Sequence, residues 1–201
     1  MHDSAEQRIV HSAEMLDRKS LASVGDTTGE RLTALLTETK AHTPEELAAN
    51  VARIGELLGR FALYVPARFT DDPAEQAKYW AVRSGIFPAV GGSRPAGTTC
   101  LSEDVAFHIE DLPRATAELQ ALIARHGYDA CIYGHALEDN YHFIINQSFS
   151  PPAEVARYEA LMNDVAELVS AGTTARSKPS MARGATWRPS SAASGATTPW
   201  P

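Results

Sequence analysis

The stretch at residues 133–145 constrains the fold of this chain more than any other. Two apolar segments, at 129–133 and 141–146, flank the polar residues Glu138, Asp139 and Asn140. Asp and Asn tolerate left-handed backbone conformations and form local hydrogen bonds, so this polar stretch is typical of a hairpin turn. The two apolar segments are therefore predicted to be neighbouring antiparallel strands.

This hairpin would bring His135 and His142, one from each strand, to the same end of a sheet. Two imidazoles held close together on rigid strands form half of a transition-metal site. The alternative is a pair of half-buried histidines that cap the hairpin, which is the commoner role for an arbitrary pair. Spacing alone leaves both interpretations open.

The sequence GHALEDNYHF at residues 134–143 resembles the GHALEGNLHF form of the H-x-G-D-G-N-x-H signature. That signature belongs to the C-terminal domain of FAD-linked oxidases of the vanillyl-alcohol-oxidase type. Segments 80–88, 97–107 and 150–159 resemble further parts of that domain, in the same order. Within the family, the resemblance is to D-lactate dehydrogenase (cytochrome)-like enzymes, and it covers roughly residues 14–170.

The resemblance implies roles for four residues. His135 and His142 correspond to ligands of a divalent metal, Zn²⁺ or Mn²⁺, and Arg83 corresponds to an arginine that holds the substrate carboxylate. Asn140 corresponds to an asparagine near the flavin. The alternatives are that Arg83 is a solvated helix residue and that Asn140 simply holds the turn. Asp139 departs from the family, which has glycine at that position.

The same resemblance implies a fold, cofactors and a substrate. FAD is the expected cofactor, bound mainly by an N-terminal domain that is absent from this chain, and a small 2-hydroxy acid is the expected substrate. The expected reaction is oxidation of a D-2-hydroxy acid to the 2-oxo acid. An alternative is a non-catalytic module that associates with a separate flavoprotein subunit, and a third is a protein that binds metal through the hairpin histidines alone.

Turn and capping signals divide the chain into alternating strands and helices. Their order predicts an α+β fold with a ferredoxin-like antiparallel sheet and helices packed on one face. Residues 1–30 are expected to be a lead-in with a short amphipathic piece at 13–21, and residues 31–170 to be the domain. The expected strands lie at 32–39, 61–65 and 99–109 and in the hairpin, and the expected helices begin near 44, 71, 111 and 151, the second ending before Pro88.

Charge and composition exclude some classes of protein. The formal net charge is −7, and residues 171–201 contribute four basic side chains and no acid, which leaves about −11 on the remainder. This charge argues against a nucleic-acid partner. No apolar run is long enough to form a transmembrane segment. The expected location is cytoplasmic or, for the complete enzyme, peripheral to the inner face of the membrane. Cys100 and Cys131 fit no metal spacing and are expected to be reduced core thiols.

Residues 171–201 change abruptly to a Ser, Ala, Thr and Pro-rich composition, which predicts a disordered tail. The resemblance suggests another origin. Back-translated and read in a neighbouring frame, residues 172–189 can encode YDGSLKAEHGTGRNMAP, which would carry a further metal ligand and the catalytic histidine. The resulting hypothesis is a truncated, frameshifted reading frame that retains no catalytic residue, so the fragment is expected to be inactive.

Overall fold

The computed structural model of the chain describes residues 9–25 and 33–174. These residues form one antiparallel sheet and the helices around it. The elements in chain order are β1 (Ser12–Leu16), α1 (Arg18–Ser23), β2 (Ala34–Glu38), α2 (Pro44–Leu58), α3 (Pro73–Gly92), β3 (Thr99–Ala106), α4 (Leu112–Arg125), β4 (Cys131–His135), β5 (Asn140–Gln147) and α5 (Pro152–Thr174).

The five strands lie in the order β2-β1-β4-β5-β3, and every neighbouring pair is antiparallel. The predicted hairpin is confirmed, because β4 pairs with β5 along its whole length. β3 and β4 run parallel to each other with β5 between them, and α4 connects them. This split β-α-β arrangement is a ferredoxin-like feature.

Apolar side chains cover both faces of the sheet, because successive residues of a strand point to opposite sides. Phe143 packs on one face with Leu119 of α4 and Leu161 of α5. Ile144 packs on the other face with Ile86 of α3. The predicted α+β class and antiparallel sheet are confirmed, whereas the helices lie on both faces rather than on one. A strand that is apolar on both sides requires cover on both sides.

One expected strand and one expected helix end differ in the structure. The expected strand at 61–65 is irregular, and Phe61 and Tyr64 are each 68% exposed. Aromatic and β-branched residues favour strands where a half-buried surface receives them, and this segment lies on no such surface. Pro88 does not end α3, which continues to Gly92 because Ile86 and Val90 are both buried beneath it.

The expected lead-in at 1–30 contains β1, which lies inside the sheet between β2 and β4. Asp17 begins α1, since its side chain accepts a hydrogen bond from the backbone N–H of Ser20 at 2.8 Å. α5 continues to Thr174, beyond the expected start of the tail at 171. The rest of that tail lies outside the described residues. No helix in the described part is both long enough and apolar enough to cross a membrane.

Candidate functional site

The site lies on the sheet face that α3 covers, and the register of the strands builds it. His135 of β4 lies between Glu14 of β1 and Asn140 of β5. Side chains opposite each other on neighbouring antiparallel strands are close enough to interact. The pairing register of the strands therefore determines which side chains lie beside His135.

Glu14 holds the imidazole of His135 through one ring nitrogen. The Nδ1 atom of His135 lies 2.6 Å from Oε1 of Glu14. A carboxylate accepts hydrogen bonds, so the proton of a neutral His135 is on Nδ1 and the lone pair is on Nε2. The His135 side chain is 40% exposed, which leaves the ring accessible from solvent.

His142 of β5 is held in the same way from the opposite side. It lies between Tyr133 of β4 and Asp104 of β3, and Asp104 Oδ1 contacts its Nδ1 atom. The ring centroid of His142 is 5.5 Å from that of His135, at an interplanar angle of 81°. The two histidines are therefore neighbours at one end of the hairpin, each bound at Nδ1 by a carboxylate.

Arg83 of α3 contributes a cationic side chain to this site. Its Nε atom donates a hydrogen bond to Oε2 of Glu14 at 3.1 Å. Its guanidinium carbon lies 5.0 Å from the ring centroid of Tyr133, a cation–π distance. Burial raises the pKa of Tyr133, although Arg83 opposes this effect, so the phenol is neutral near pH 7. The Arg83 side chain is 21% exposed.

Glu14 connects the arginine and the first histidine, and it is only 3% exposed. Its role in the site was not predicted from the sequence. The signal that could have found it is a carboxylate inside the otherwise apolar run 13–16, which forms β1, a strand with a neighbour on each side. A buried carboxylate is expensive unless it is paired, and Glu14 is paired with both Arg83 and His135.

An open cleft of about 840 Å³ lies between α3 and the sheet. Its lining includes Arg83, His135 and His142, which are three of the four site residues predicted from the sequence. Asn140 is partly buried at the start of β5 and does not line this cleft. The cleft is lined by Glu14, Ala77, Trp80, Ala81, Arg83, Ser84, His135 and His142.

The described residues supply two of the ligands of the expected metal site and do not supply the others. The Nε2 atoms of His135 and His142 are imidazole donors of the kind that Zn²⁺ and Mn²⁺ accept. Within residues 9–25 and 33–174, no group of three or more His, Cys, Asp or Glu side chains is arranged to hold a metal ion. The donor chemistry of the two histidines thus fits part of a metal site and does not complete one.

The hairpin that carries the histidines has an unusual backbone at two positions, one in β4 and one in the turn. Gly134 has φ of +156°, and a Cβ atom there would lie 2.5 Å from the carbonyl oxygen of Asn140. Asp139 has φ of +58°, in the left-handed region. Asp139 stands where the resembling signature has glycine, and aspartate tolerates this conformation better than most residues.

Comparison of the sequence with known protein families agrees with the resemblance of its motifs. The family model described as "FAD linked oxidases, C-terminal domain" matches residues 2–173. The search of curated proteins found no significant match. One solved structure that resembles the chain is 4-ethylphenol oxidase from Gulosibacter chungangensis in complex with isoeugenol, at 14% identity and a TM-score of 0.43.

That similarity covers 80% of this chain and 37% of the oxidase chain. The chain therefore spans little more than a third of the length of that solved structure. The family match, in contrast, extends over every described element except the last residue of α5. The chain belongs to the family of FAD-linked oxidase C-terminal domains.

Proposed function

We propose that this chain is the substrate- and metal-binding domain of a flavin-dependent D-2-hydroxyacid dehydrogenase, similar to D-lactate dehydrogenase. The reaction would oxidise a D-2-hydroxy acid to the 2-oxo acid. The observation that supports the proposal is the convergence of Arg83, His135 and His142 on one open cleft. A guanidinium group beside two imidazoles is suited to bind a small carboxylate that carries a neighbouring hydroxyl group.

Arg83 would bind the carboxylate of the substrate. Glu14 occupies its Nε atom, so the two terminal nitrogens can pair with a carboxylate in a bidentate manner. The ring of Tyr133 beneath the guanidinium restrains its plane. The arginine is therefore oriented before the substrate arrives, which lowers the entropy lost on binding.

His135 and His142 would bind Zn²⁺ or Mn²⁺ through their Nε2 atoms. A divalent metal at this position would polarise the hydroxyl and carboxylate groups of the substrate. When bound, FAD would accept the hydride from the substrate. Asn140 would lie near the flavin. The chain by itself is proposed to bind ligands without turning them over.

A second candidate is a module that associates with a separate flavoprotein subunit. The segment between α2 and α3 exposes Phe61, Tyr64 and Val65, which gives it an apolar surface. Flavin absorbance that co-elutes with the chain, and is lost when these three residues are changed to serine, would favour this candidate. The cleft would bind the same class of substrate in either case.

The proposal is tested by calorimetric titration of the full chain with D-lactate, with and without Zn²⁺. We expect binding that requires Zn²⁺, that is weaker for L-lactate, and that is lost in Arg83→Ala. Arg68→Ala is the matched control, because Arg68 is an exposed arginine that pairs with Glu75 outside the cleft. Binding that is indifferent to both Zn²⁺ and Arg83→Ala would overturn the proposal.

A further inference from the structure

We infer that the cleft selects a 2-hydroxy acid with an aromatic side chain, and that Trp80 is the residue that determines this specificity. This specificity rests on the proposed function, because it takes Arg83 as the residue that binds the substrate carboxylate. It requires no metal ion, since it concerns only the side of the cleft that α3 supplies. Neither the motifs nor the family match assigns a role to Trp80.

The lining of the cleft is divided between a polar side and an apolar side. The strands contribute only ionisable side chains, which are those of Glu14, His135 and His142. The apolar lining comes entirely from α3, at Ala77, Trp80 and Ala81. Sites for small organic ligands commonly combine apolar walls with a few polar groups that fix the orientation of the ligand. A ligand here would therefore meet polar groups on one side and an apolar surface on the other.

The order of residues along α3 places the apolar surface next to Arg83. One face of the helix lines the cleft with the spacing i, i+3, i+4 and i+7, at Ala77, Trp80, Ala81 and Ser84. The apolar residues all precede Arg83 in the chain. Along the helix axis, Trp80 precedes Arg83 by about 4.5 Å and Ala77 precedes it by about 9 Å. A substrate whose carboxylate is bound by Arg83 can therefore place its side chain against Trp80.

The cleft leaves room for such a side chain. Trp80 is half-buried, and the two apolar residues beside it in the lining are both alanines, whose side chains end at Cβ. The volume of about 840 Å³ is within the range of roughly 300–1,000 Å³ that is typical of sites for drug-sized ligands. A three-carbon acid such as lactate would leave most of this volume empty.

Contact with Trp80 would favour an aromatic group over a methyl group. Tryptophan offers a large apolar surface, and two aromatic rings in contact attract each other beyond the effect of the area that they bury. Removal of apolar surface from water adds to the preference. The methyl group of lactate has little surface to bury against the indole ring. The expected substrate class is therefore that of aryl-substituted 2-hydroxy acids.

The test compares D-lactate with D-3-phenyllactate by calorimetric titration of the full chain. The two acids share the carboxylate and hydroxyl groups and differ only by a phenyl group on the terminal carbon. We expect D-3-phenyllactate to bind about 10-fold more tightly, which corresponds to the burial of roughly two methylene groups in an open cleft. D-malate carries a second carboxylate in place of the phenyl group. It should bind no more tightly than D-lactate, because an apolar surface does not replace the hydration of a charge.

Variants of α3 assign the preference to one residue. Trp80→Ala should lower the affinity for D-3-phenyllactate to that for D-lactate, and Trp80→Phe should retain part of the preference because it keeps an aromatic ring. Tyr79→Ala is the matched control. Tyr79 is an exposed aromatic residue of the same helix that bonds to Glu75 and does not line the cleft, so its loss should leave the preference unchanged. Thermal unfolding of every variant shows whether it is folded.

A second measurement leaves Trp80 in place. The chain contains three tryptophans, which are Trp80, Trp187 and Trp200. When Trp187→Phe and Trp200→Phe are combined, all tryptophan fluorescence comes from Trp80. Addition of D-3-phenyllactate should change this emission with the same midpoint as the heat of binding. D-malate at the same concentrations should change it less.

The outcomes separate the role of Trp80 from the proposed function. If neither D-lactate nor D-3-phenyllactate binds, or if Arg83→Ala does not weaken their binding, the proposed function fails. If both acids bind through Arg83 with equal affinity, or if the preference survives in Trp80→Ala, the role of Trp80 is overturned and the proposed function stands. If Trp80→Ala does not fold, the fluorescence decides, and an emission that D-3-phenyllactate leaves unchanged overturns the role of Trp80.

Discussion

Gly134 of β4 lies so close to Asn140 of β5 that a Cβ atom at position 134 would be 2.5 Å from the Asn140 carbonyl oxygen. Real Cβ atoms do not approach backbone atoms so closely, and the φ of +156° is also unfavourable for a side chain. This close approach is one residue away from His135. The hairpin that carries the histidines therefore depends on glycine at this position.

Gly134→Ala should reduce the free energy of unfolding by on the order of 2–4 kcal/mol, because backbone atoms of β5 must move or the strain must be kept. Urea denaturation measures this loss. Gly55→Ala is the matched control, since a Cβ at position 55 of α2 meets nothing within 4 Å. That change should stabilise by about 0.5–1 kcal/mol through helix propensity. Equal effects at the two positions would contradict the account of the hairpin.

The left-handed backbone at Asp139 predicts a dependence on side-chain type. Asp139→Val should destabilise the protein by about 1–2 kcal/mol, because a β-branched residue is poorly tolerated at a φ of +58°. Asp139→Gly should cost less than Asp139→Val, since glycine adopts this conformation freely. Denaturation midpoints of the two variants provide the comparison. A valine variant as stable as the glycine variant would contradict the assigned conformation.

The packing of α3 on the second face of the sheet predicts a large effect at Ile86, which is fully buried. Ile86→Ala should lower the free energy of unfolding by about 2–5 kcal/mol through the cavity it leaves. Val82→Ala, one turn earlier on the same helix, is the control, because Val82 is 39% exposed. If both variants unfolded at nearly the same denaturant concentration, α3 would not be part of the core.

The buried thiol of Cys131 predicts how stability depends on alkaline pH. Burial, with a smaller contribution from the charge of Asp17, raises the pKa of Cys131 to about 12. The unfolded chain loses this proton at lower pH, so the folded state binds more protons in the interval between the two pKa values. The free energy of unfolding should therefore fall as pH rises from about 9 towards 12.

Denaturation of the wild type and of Cys131→Ala at pH 8 and pH 10 isolates this contribution from other groups that titrate in the same range. The wild type should lose more stability than the variant between the two pH values. A wild type and a variant with the same change would show that the thiol of Cys131 does not titrate with a raised pKa.

The parts of the fold that the sequence predicted correctly are those with local causes. The turn chemistry around Asp139 and Asn140 predicted the β4–β5 hairpin, and the capping box that begins at Thr43 predicted α2. The register of one hairpin was enough to bring His135 and His142 together. The resemblance predicted that Arg83 belongs to the same site. Its position in a predicted helix would not have indicated this by itself.

The parts that were missed depend on contacts between distant residues. Glu14 is 69 residues from Arg83 and 121 residues from His135 in the chain, so no local pattern shows that it joins them. Pro88 has the local signature of a helix end, but the burial of Ile86 and Val90 holds the helix beyond it. Tertiary packing overrides local propensity in both cases.

The central claim of the proposed function is that His135 and His142 bind one shared ligand in the cleft that both of them line. The most direct measurement is a Zn²⁺ titration of the full chain, followed by the ring nitrogen resonances of its seven histidines. The account predicts that the Nε2 resonances of His135 and His142 move together with a single midpoint, while His126, bound to Asp164, stays unchanged. Separate midpoints for His135 and His142, or a response confined to other histidines, would contradict it.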